Sequence, residues 1–256
     1  LKQIMKDTNV KLILADSFEF LEKLPEKSID TIIADPPYFL INGGFSNSGG
    51  KQVSVNKDDW DKKSSEDAEI FYKNFIHLSK RCLKDNGTIW IFGTMHNIYT
   101  IGYLLKKDFK ILNNITWQKS NPAPNLSKRM FTHSTETIIW AKKKVGHQLY
   151  NYQFMKHLNN DKQMKDVWTT PTIGSYEKAF GRHPTQKPLS VITRIIQAST
   201  DESSLILDPF VGSGTTAVAG KILNRKVIGI DNSREYLNIT KTRIINIKKS
   251  KFGTIK

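Results

Sequence analysis

Leu205-Ile206-Leu207-Asp208-Pro209-Phe210-Val211-Gly212-Ser213-Gly214-Thr215-Thr216-Ala217 is the stretch on which the fold turns. An apolar strand pattern breaks into a Gly212-x-Gly214-x-x-Ala217 turn and resumes as a helical pattern over Thr215–Leu223. That order matches the nucleotide-binding fingerprint, in which glycines let the backbone approach a ligand where the helix begins. The next strand pattern, Val227–Ile230, ends in Asp231, 23 positions beyond Asp208, where an acid can hold ribose hydroxyls. A glycine-rich helix start can also serve packing alone. The acid downstream favours a nucleoside-containing ligand.

Charge selects among such ligands. Asp208 stands where the pyrophosphate of a dinucleotide would rest, and a carboxylate there would repel it. S-adenosylmethionine (AdoMet) has no phosphate and carries an ammonium and a sulfonium, so an acidic loop entrance suits it. The expected cofactor is therefore AdoMet rather than NAD.

Outward from this unit, β-branched runs alternate with amphipathic helical patterns, as in an α/β fold with a mainly parallel sheet covered on both faces. Strands are expected at Lys11–Leu14, Thr31–Ala34, Thr88–Phe92, Ile111–Thr116, Thr137–Trp140, Leu205–Leu207 and Val227–Ile230. Helices are expected at Ser17–Leu24, Glu66–Leu83, Ile98–Lys106, Leu189–Ser199, Thr215–Leu223 and Arg234–Lys248. Two stretches break the alternation. Phe39–Lys63, rich in Gly, Asn and Ser, reads as a loop that closes over a substrate or as a plain surface loop. Lys142–Arg182 interleaves Lys142, Lys143, Lys144 and Arg182 with Tyr150, Tyr152, Phe154, Trp168 and Tyr176. Such a mixture suits phosphate contacts and base stacking, and equally a small aromatic core.

A chain of 256 residues can bury the core of one large α/β domain with a smaller insert. Lys and Arg number 39 against 24 Asp and Glu, a formal charge of +15. The natural partner of that charge is a polyanion with phosphates to neutralise; an anionic membrane surface or a merely soluble basic protein are the alternatives. No apolar run reaches the length of a membrane span and no signal-peptide pattern opens the chain. The single Cys82 excludes an internal disulfide and suits a reducing cytoplasm; it reads as buried packing. Six scattered His lack ligand spacing, so no metal is expected, and His77 and His96 read as surface or helix-packing residues.

The second chemical signal is Asp35-Pro36-Pro37-Tyr38, directly after the apolar run Asp30–Ala34. An exocyclic amine on a nucleobase is a poor nucleophile, because its lone pair is delocalised into the ring. A carboxylate and the carbonyl of Pro36 can each accept one amine hydrogen and turn the lone pair toward an incoming methyl group. The carboxylate also stabilises charge that grows on nitrogen. Each Pro holds the residue before it extended, which stiffens the acceptors, and Tyr38 offers a face for an extruded base. Alone, the tetrapeptide also serves as a rigid strand exit. A third segment, Gly181-Arg182-His183-Pro184-Thr185-Gln186-Lys187-Pro188, is a polar turn before the Leu189 helix, readable as a helix start or as a cofactor contact.

Asp-Pro-Pro-Tyr, His-Pro-Thr-Gln-Lys-Pro and Asp-Pro-Phe-x-Gly-x-Gly-Thr-Thr, in that order, resemble the β-class amino DNA methyltransferases of bacterial restriction–modification systems, over about Leu12 to Arg243. The resemblance implies an AdoMet-dependent methyltransferase fold, a seven-stranded, mostly parallel sheet with one reversed strand. It implies that Asp35, Pro36, Pro37 and Tyr38 bind and activate the target amine, with Asp35 also near the cofactor. Asp208, Phe210, Gly212, Ser213, Gly214, Thr215 and Thr216 would cradle the methionine portion, and Asp231 the ribose. Asp16 and Ser17 would lie near the adenine ring, with His183, Thr185, Gln186 and Lys187 closing over the methionine end. It divides one domain into a catalytic half (residues 1–141), a target-recognition insert (142–182) and a cofactor half (183–256). Lys142, Lys143, Lys144 and Arg182 are the DNA-binding candidates.

Further stretches narrow the resemblance. Asn114-Ile115-Thr116-Trp117-Gln118-Lys119, Phe131-Thr132-His133-Ser134-Thr135-Glu136 and Lys162-Gln163-Met164-Lys165-Asp166-Val167-Trp168 are similar to the second methyltransferase of GATC restriction systems, the DpnA type. That similarity implies adenine N6 methylation within GATC, on duplex or single-stranded DNA, beside a cognate endonuclease in the cytoplasm, with homodimers common in the class. Asp at the first motif position leans to adenine and Ser to cytosine. Cytosine N4 methylation is the nearest alternative, followed by a non-catalytic DNA-binding protein and by an RNA or small-molecule methyltransferase.

Overall fold

In the computed structural model, which describes residues 1–39, 45–48, 51–54, 65–181 and 185–247, Ile33 faces one side of a sheet while Ile32 and Ala34 face the other. The same period of two separates Trp90 from Ile89 and Ile91, and Ile138 from Ile139. Strands that alternate apolar with apolar must be covered on both faces, and they are. Helices α1 (Ser17–Lys23), α2 (Ser65–Cys82) and α3 (Ile98–Asp108) bury Leu21, Tyr72, Phe75, Ile101 and Leu105 on one side. On the other lie α5 (Leu189–Ser199), α6 (Thr215–Ile222) and α7 (Arg234–Ile245), burying Ile192, Ile195, Ile196, Val218, Leu237 and Ile244, with α4 (Tyr152–Leu158) against α5.

The main sheet uses β1 (Lys2–Lys6), β2 (Val10–Leu14), β3 (Ile29–Ala34), β6 (Leu83–Gly93), β7 (Phe109–Lys119), β8 (Thr135–Lys143), β9 (Val167–Thr170), β10 (Leu205–Asp208) and β11 (Lys226–Asp231). A separate hairpin pairs β4 (Phe45–Ser48) with β5 (Lys51–Ser54). The order is β1-β2-β11-β10-β3-β6-β8-β7-β9, with β1 and β8 running against the rest. The expected seven strands are the central seven, with β8 as the reversed one. The sheet gains a strand at each edge. At one, β1 is half polar and carries no apolar run to announce it. At the other, β9 comes from the basic aromatic stretch: Trp168 is buried 6.3 Å from Trp90, and Trp90 stacks on Trp140 at 4.7 Å. Tyr150 packs against Trp140, so part of that stretch is domain core.

Topology places the site. The chain leaves β3 toward β6 and leaves β10 toward β11, in opposite directions from two adjacent strands. Where winding reverses, the carboxyl ends of the two strands open a crevice. The register Ile206↔Thr31 and Leu207↔Ile32 sets Asp208 level with Ile33. Asp35 follows two residues later, so acids 173 positions apart in sequence share one crevice.

Candidate active site

The glycine turn after β10 is tied down from several sides. Gly212 and Gly214 take φ of +50° and +83°, and a Cβ on Gly214 would lie 2.2 Å from Thr240 Cγ2. Asp231 Oδ2 accepts the Gly212 N–H at 2.9 Å, while the Thr240 hydroxyl donates to Gly212 O at 2.8 Å. Arg243 donates to Ser213 O at 2.5 Å, and its burial draws its pKa down to about 10. Ala15 N donates to Asp231 O at 3.1 Å, which brings the start of α1 alongside. There Asp16 caps the helix by accepting from Phe18 N and Glu19 N, and the Ser17 hydroxyl donates to Pro209 O. Thr185–Lys187 straps the turn: Ser213 donates to Gln186 Oε1 at 3.0 Å and Thr215 to Lys187 O at 3.1 Å.

Facing the turn, the tetrapeptide after β3 is locked. Tyr72 on α2 donates its hydroxyl to Pro37 O at 2.6 Å and receives the Asn97 amide at 3.1 Å. Tyr38 donates to Asp35 Oδ1 at 2.6 Å. The Lys187 ammonium donates to Asp35 Oδ2 at 2.6 Å and to the Tyr38 oxygen at 2.9 Å. Glu136, at the start of β8, lies 3.5 Å from the same ammonium and 2.7 Å from Lys119 at the end of β7. Burial pushes the Asp35 carboxyl upward, against the pull of Lys187 and Tyr38. Burial alone would lower Lys187, but the Asp35 and Glu136 carboxylates outweigh it and hold the ammonium charged. The pair is an ion pair.

Asp35, Lys187, Asp208, Phe210, Gly212 and Thr216 all line one cavity. Asp208 is 5% exposed, and its partners are the Phe210 N–H at 3.1 Å and the Thr216 hydroxyl. Burial, with the Asp35 and Asp231 carboxylates nearby, raises its pKa to about 7. A buried acid so placed calls for a cation. AdoMet, cationic at sulfur and at its amino group, fits that demand, and the glycine turn leaves its backbone open to close approach.

Of the expected site residues, Asp35, Thr185, Gln186, Lys187, Asp208, Phe210, Gly212, Ser213, Thr215 and Thr216 reach the cavity, and Asp16, Ser17, Gly214 and Asp231 buttress it. Arg182 and His183 lie outside the described residues, as does most of Phe39–Lys63. The lysine triplet does not come to the site. Lys142 pairs with Thr88 at the opposite end of the sheet from Asp35. Lys142 Nζ donates to Gly146 O at 2.6 Å and Lys143 Nζ to Leu83 O at 3.0 Å, both buried, while Lys144 donates to Lys107 O. Cys82 is buried as expected, and His77 and His96 are exposed. Glu136, Lys119, Tyr72 and Arg243 were not among the expected site residues.

A doubly wound sheet whose seven central strands include one reversed strand, a braced glycine turn and an Asp-Pro-Pro-Tyr corner at its switch point define an AdoMet-dependent methyltransferase. The sequence model of a family described as "DNA methylase" matches residues 29–242, and the chain belongs to that family. It is 58% identical over 247 residues to "Type II methyltransferase M2.LlaDCHI" of Lactococcus lactis subsp. cremoris, covering 95% of this chain and 92% of that one. It is 59% identical to "Type II methyltransferase M2.DpnII" of Streptococcus pneumoniae, covering 91% of this chain and 88% of the relative. Among solved structures, the AdoMet complex of M1.HpyAVI superposes with a TM-score of 0.69 at 28% identity, covering 93% of this chain and all of that one. The PvuII cytosine-N4-specific methyltransferase has a TM-score of 0.72 at 19% identity, covering 96% and 90%, which shows the shared fold. The chain is a DNA methyltransferase that uses AdoMet.

Proposed function

We propose that this enzyme methylates N6 of adenine within GATC, as the modification arm of a restriction–modification system. The carrying observation is that Asp35 and the glycine turn open on the same cavity. Bound AdoMet supplies an electrophilic methyl carbon on a sulfonium sulfur. Asp35 accepts an amine hydrogen and stabilises the charge that develops on the nitrogen in a water-poor site. Tyr38, its hydroxyl spent on Asp35, offers its ring to a base taken out of the stack. Alignment of two bound reactants supplies most of the acceleration. The Asp at position 35 and the relatives from Lactococcus, Streptococcus and, at 51% identity, Moraxella bovis support adenine in GATC.

DNA reaches the crevice past the loop between β7 and β8, which starts beside Lys119 and ends beside Glu136 at the mouth. There Lys128 and Arg129 are exposed next to Met130 and Phe131, the last 97% exposed. Cations beside apolar side chains suit a phosphate backbone and an opened base step. A cognate endonuclease, a cytoplasmic setting and a homodimer belong to the same reading; among the described residues no helix is long and apolar enough to cross a membrane. The test is transfer of a labelled methyl group to duplex and single-stranded oligonucleotides with and without GATC, followed by nucleoside analysis. N6-methyladenine confined to GATC substrates is expected. N4-methylcytosine as the product would replace this reading with its cytosine counterpart.

A further inference from the structure

Four alternating charges, each in contact with the next, lead from the end of β7 to the Asp-Pro-Pro-Tyr corner: Lys119, Glu136, Lys187 and Asp35. Their side chains are only 20%, 14%, 7% and 19% exposed. The last contact is chemically odd. The target amine needs acceptors at Asp35, yet Oδ1 already takes the Tyr38 hydroxyl at 2.6 Å and Oδ2 takes Lys187 at 2.6 Å. The Lys187 ammonium thus occupies one of the acceptor positions on Asp35 that a substrate amine could use.

The ammonium has a second seat within reach. Glu136 Oε1 is held by Lys119 at 2.7 Å, while buried Oε2 makes only a long contact, 3.5 Å to Lys187 Nζ. A shift of under an ångström closes that bond. Other groups around the ammonium are the Tyr38 oxygen, Thr185 O at 3.3 Å and the rings of Tyr38 and Phe92, none of which carries a countercharge. We propose that Glu136, anchored by Lys119, is a positioning residue that takes Lys187 off Asp35 when the target amine enters. With the cavity empty, Lys187 keeps the buried Asp35 carboxylate paired; with the base in place, Glu136 keeps the displaced ammonium paired. The ammonium is never left without a carboxylate, and Asp35 exchanges it for the amine hydrogen while keeping the Tyr38 hydroxyl. The inference rests on the amino-methyltransferase reading of this corner.

The test compares methyl transfer by the wild-type enzyme, Glu136→Gln, Glu136→Asp, Lys187→Met and the Glu136→Gln/Lys187→Met pair, at saturating DNA and AdoMet. Glu136→Gln offers an uncharged seat, so kcat is expected to fall about 10- to 100-fold with KM for AdoMet unchanged, while Tm falls with the lost Lys119–Glu136 ion pair. Glu136→Asp is expected to recover part of the loss. In the Lys187→Met background Glu136 has nothing to seat, so the second substitution is expected to cost no further rate. Equal losses from Glu136→Gln in both backgrounds would overturn the proposal. If Lys187→Met has no measurable turnover, a crystal structure with a GATC duplex and an unreactive AdoMet analogue decides. Lys187 Nζ bonded to Glu136 and withdrawn from Asp35 supports the switch; an intact Lys187–Asp35 pair beside the bound amine refutes it. A wild-type enzyme that methylates no DNA amine would sink the functional reading itself, a result distinct from any of these.

Discussion

Asp208→Asn should make the ligand-free protein more stable and the enzyme worse. Asp208 titrates at about 7 in the folded chain against 3.8 for an ordinary aspartate. Between those two values the native state keeps a proton that the unfolded chain has lost, so stability falls as pH rises through the window. A shift of about three units, at ~1.4 kcal/mol each, sets the cost of ionising the buried group at ~4 kcal/mol once pH passes 7. Asparagine keeps an acceptor for the Phe210 N–H and never ionises. The variant should therefore match wild type near pH 4, pull ahead as pH rises and level off above 7. A gap of ~4 kcal/mol corresponds to a Tm difference on the order of 10 °C for a chain of this size.

The assay is thermal unfolding of both proteins without ligand from pH 4 to pH 8.5, paired with AdoMet calorimetry over the same range. A cationic ligand favours the Asp208 carboxylate. Wild-type affinity should accordingly rise with pH up to about 7 and flatten above it, losing up to about tenfold per unit below. The variant should bind weakly and without that slope. Parallel Tm curves for the two proteins, or wild-type affinity indifferent to pH, would refute the reasoning: either the acid is not held neutral by its surroundings or no cation rests against it.

Three more outcomes follow from the same geometry. Asp35→Ala should lower kcat about 10²- to 10³-fold while leaving AdoMet affinity within a few-fold, because the carboxylate acts on the target nitrogen; near-normal turnover in the labelled-methyl assay would remove it from the chemistry. Asp231→Ala loses the 2.9 Å and 2.8 Å brackets on Gly212 N and Ser233 N, and calorimetry should show AdoMet binding weakened about 10- to 100-fold, more than turnover at saturating cofactor is lowered. Replacing Lys128 and Arg129 with Gln should reduce the slope of log affinity for duplex DNA against log salt by about 1–2, while replacing Lys142 and Lys143 leaves it unchanged. The reverse pattern would put the DNA on the other end of the sheet.

Much of this arrangement was legible in the chain because it obeys local rules. Leu189–Ser199 was found at the expected bounds, since its apolar face repeats at helical spacing and Pro188 starts it. The central seven strands each carried an apolar run. What escaped was whatever tertiary pairing alone creates. Glu136 reads as an ordinary polar residue opening an apolar strand; it becomes a counterion only because β8 folds back on β7 with Gln118 opposite Thr135, which brings Lys119 beside it. The Lys142–Lys144 triplet shows the converse. Composition assigned it to a polyanion, but the β6–β8 register Thr88↔Lys142 sends it away from the crevice, where backbone carbonyls take up its amines. Charge counts report what a surface can attract, and register reports where.

The order of the motifs along the chain also has a physical consequence. Asp35 precedes Asp208 by 173 positions, yet bringing the two together needs only that β3 and β10 be neighbours in register. Winding outward from that seam in both directions satisfies the need, because each parallel strand returns by its own helix to the same end of the sheet. Asp35 and the glycine turn thus meet at the carboxyl ends of the β3–β10 pair, and the Thr185–Lys187 strap touches both. Through Gln186 and the Lys187 carbonyl it grips the glycine turn; through the Lys187 ammonium it grips Asp35. Lys187 thus joins the glycine turn to Asp35 directly, beside a second route in which Phe210 packs on Phe71, Phe71 on Tyr72, and the Tyr72 hydroxyl holds Pro37 O.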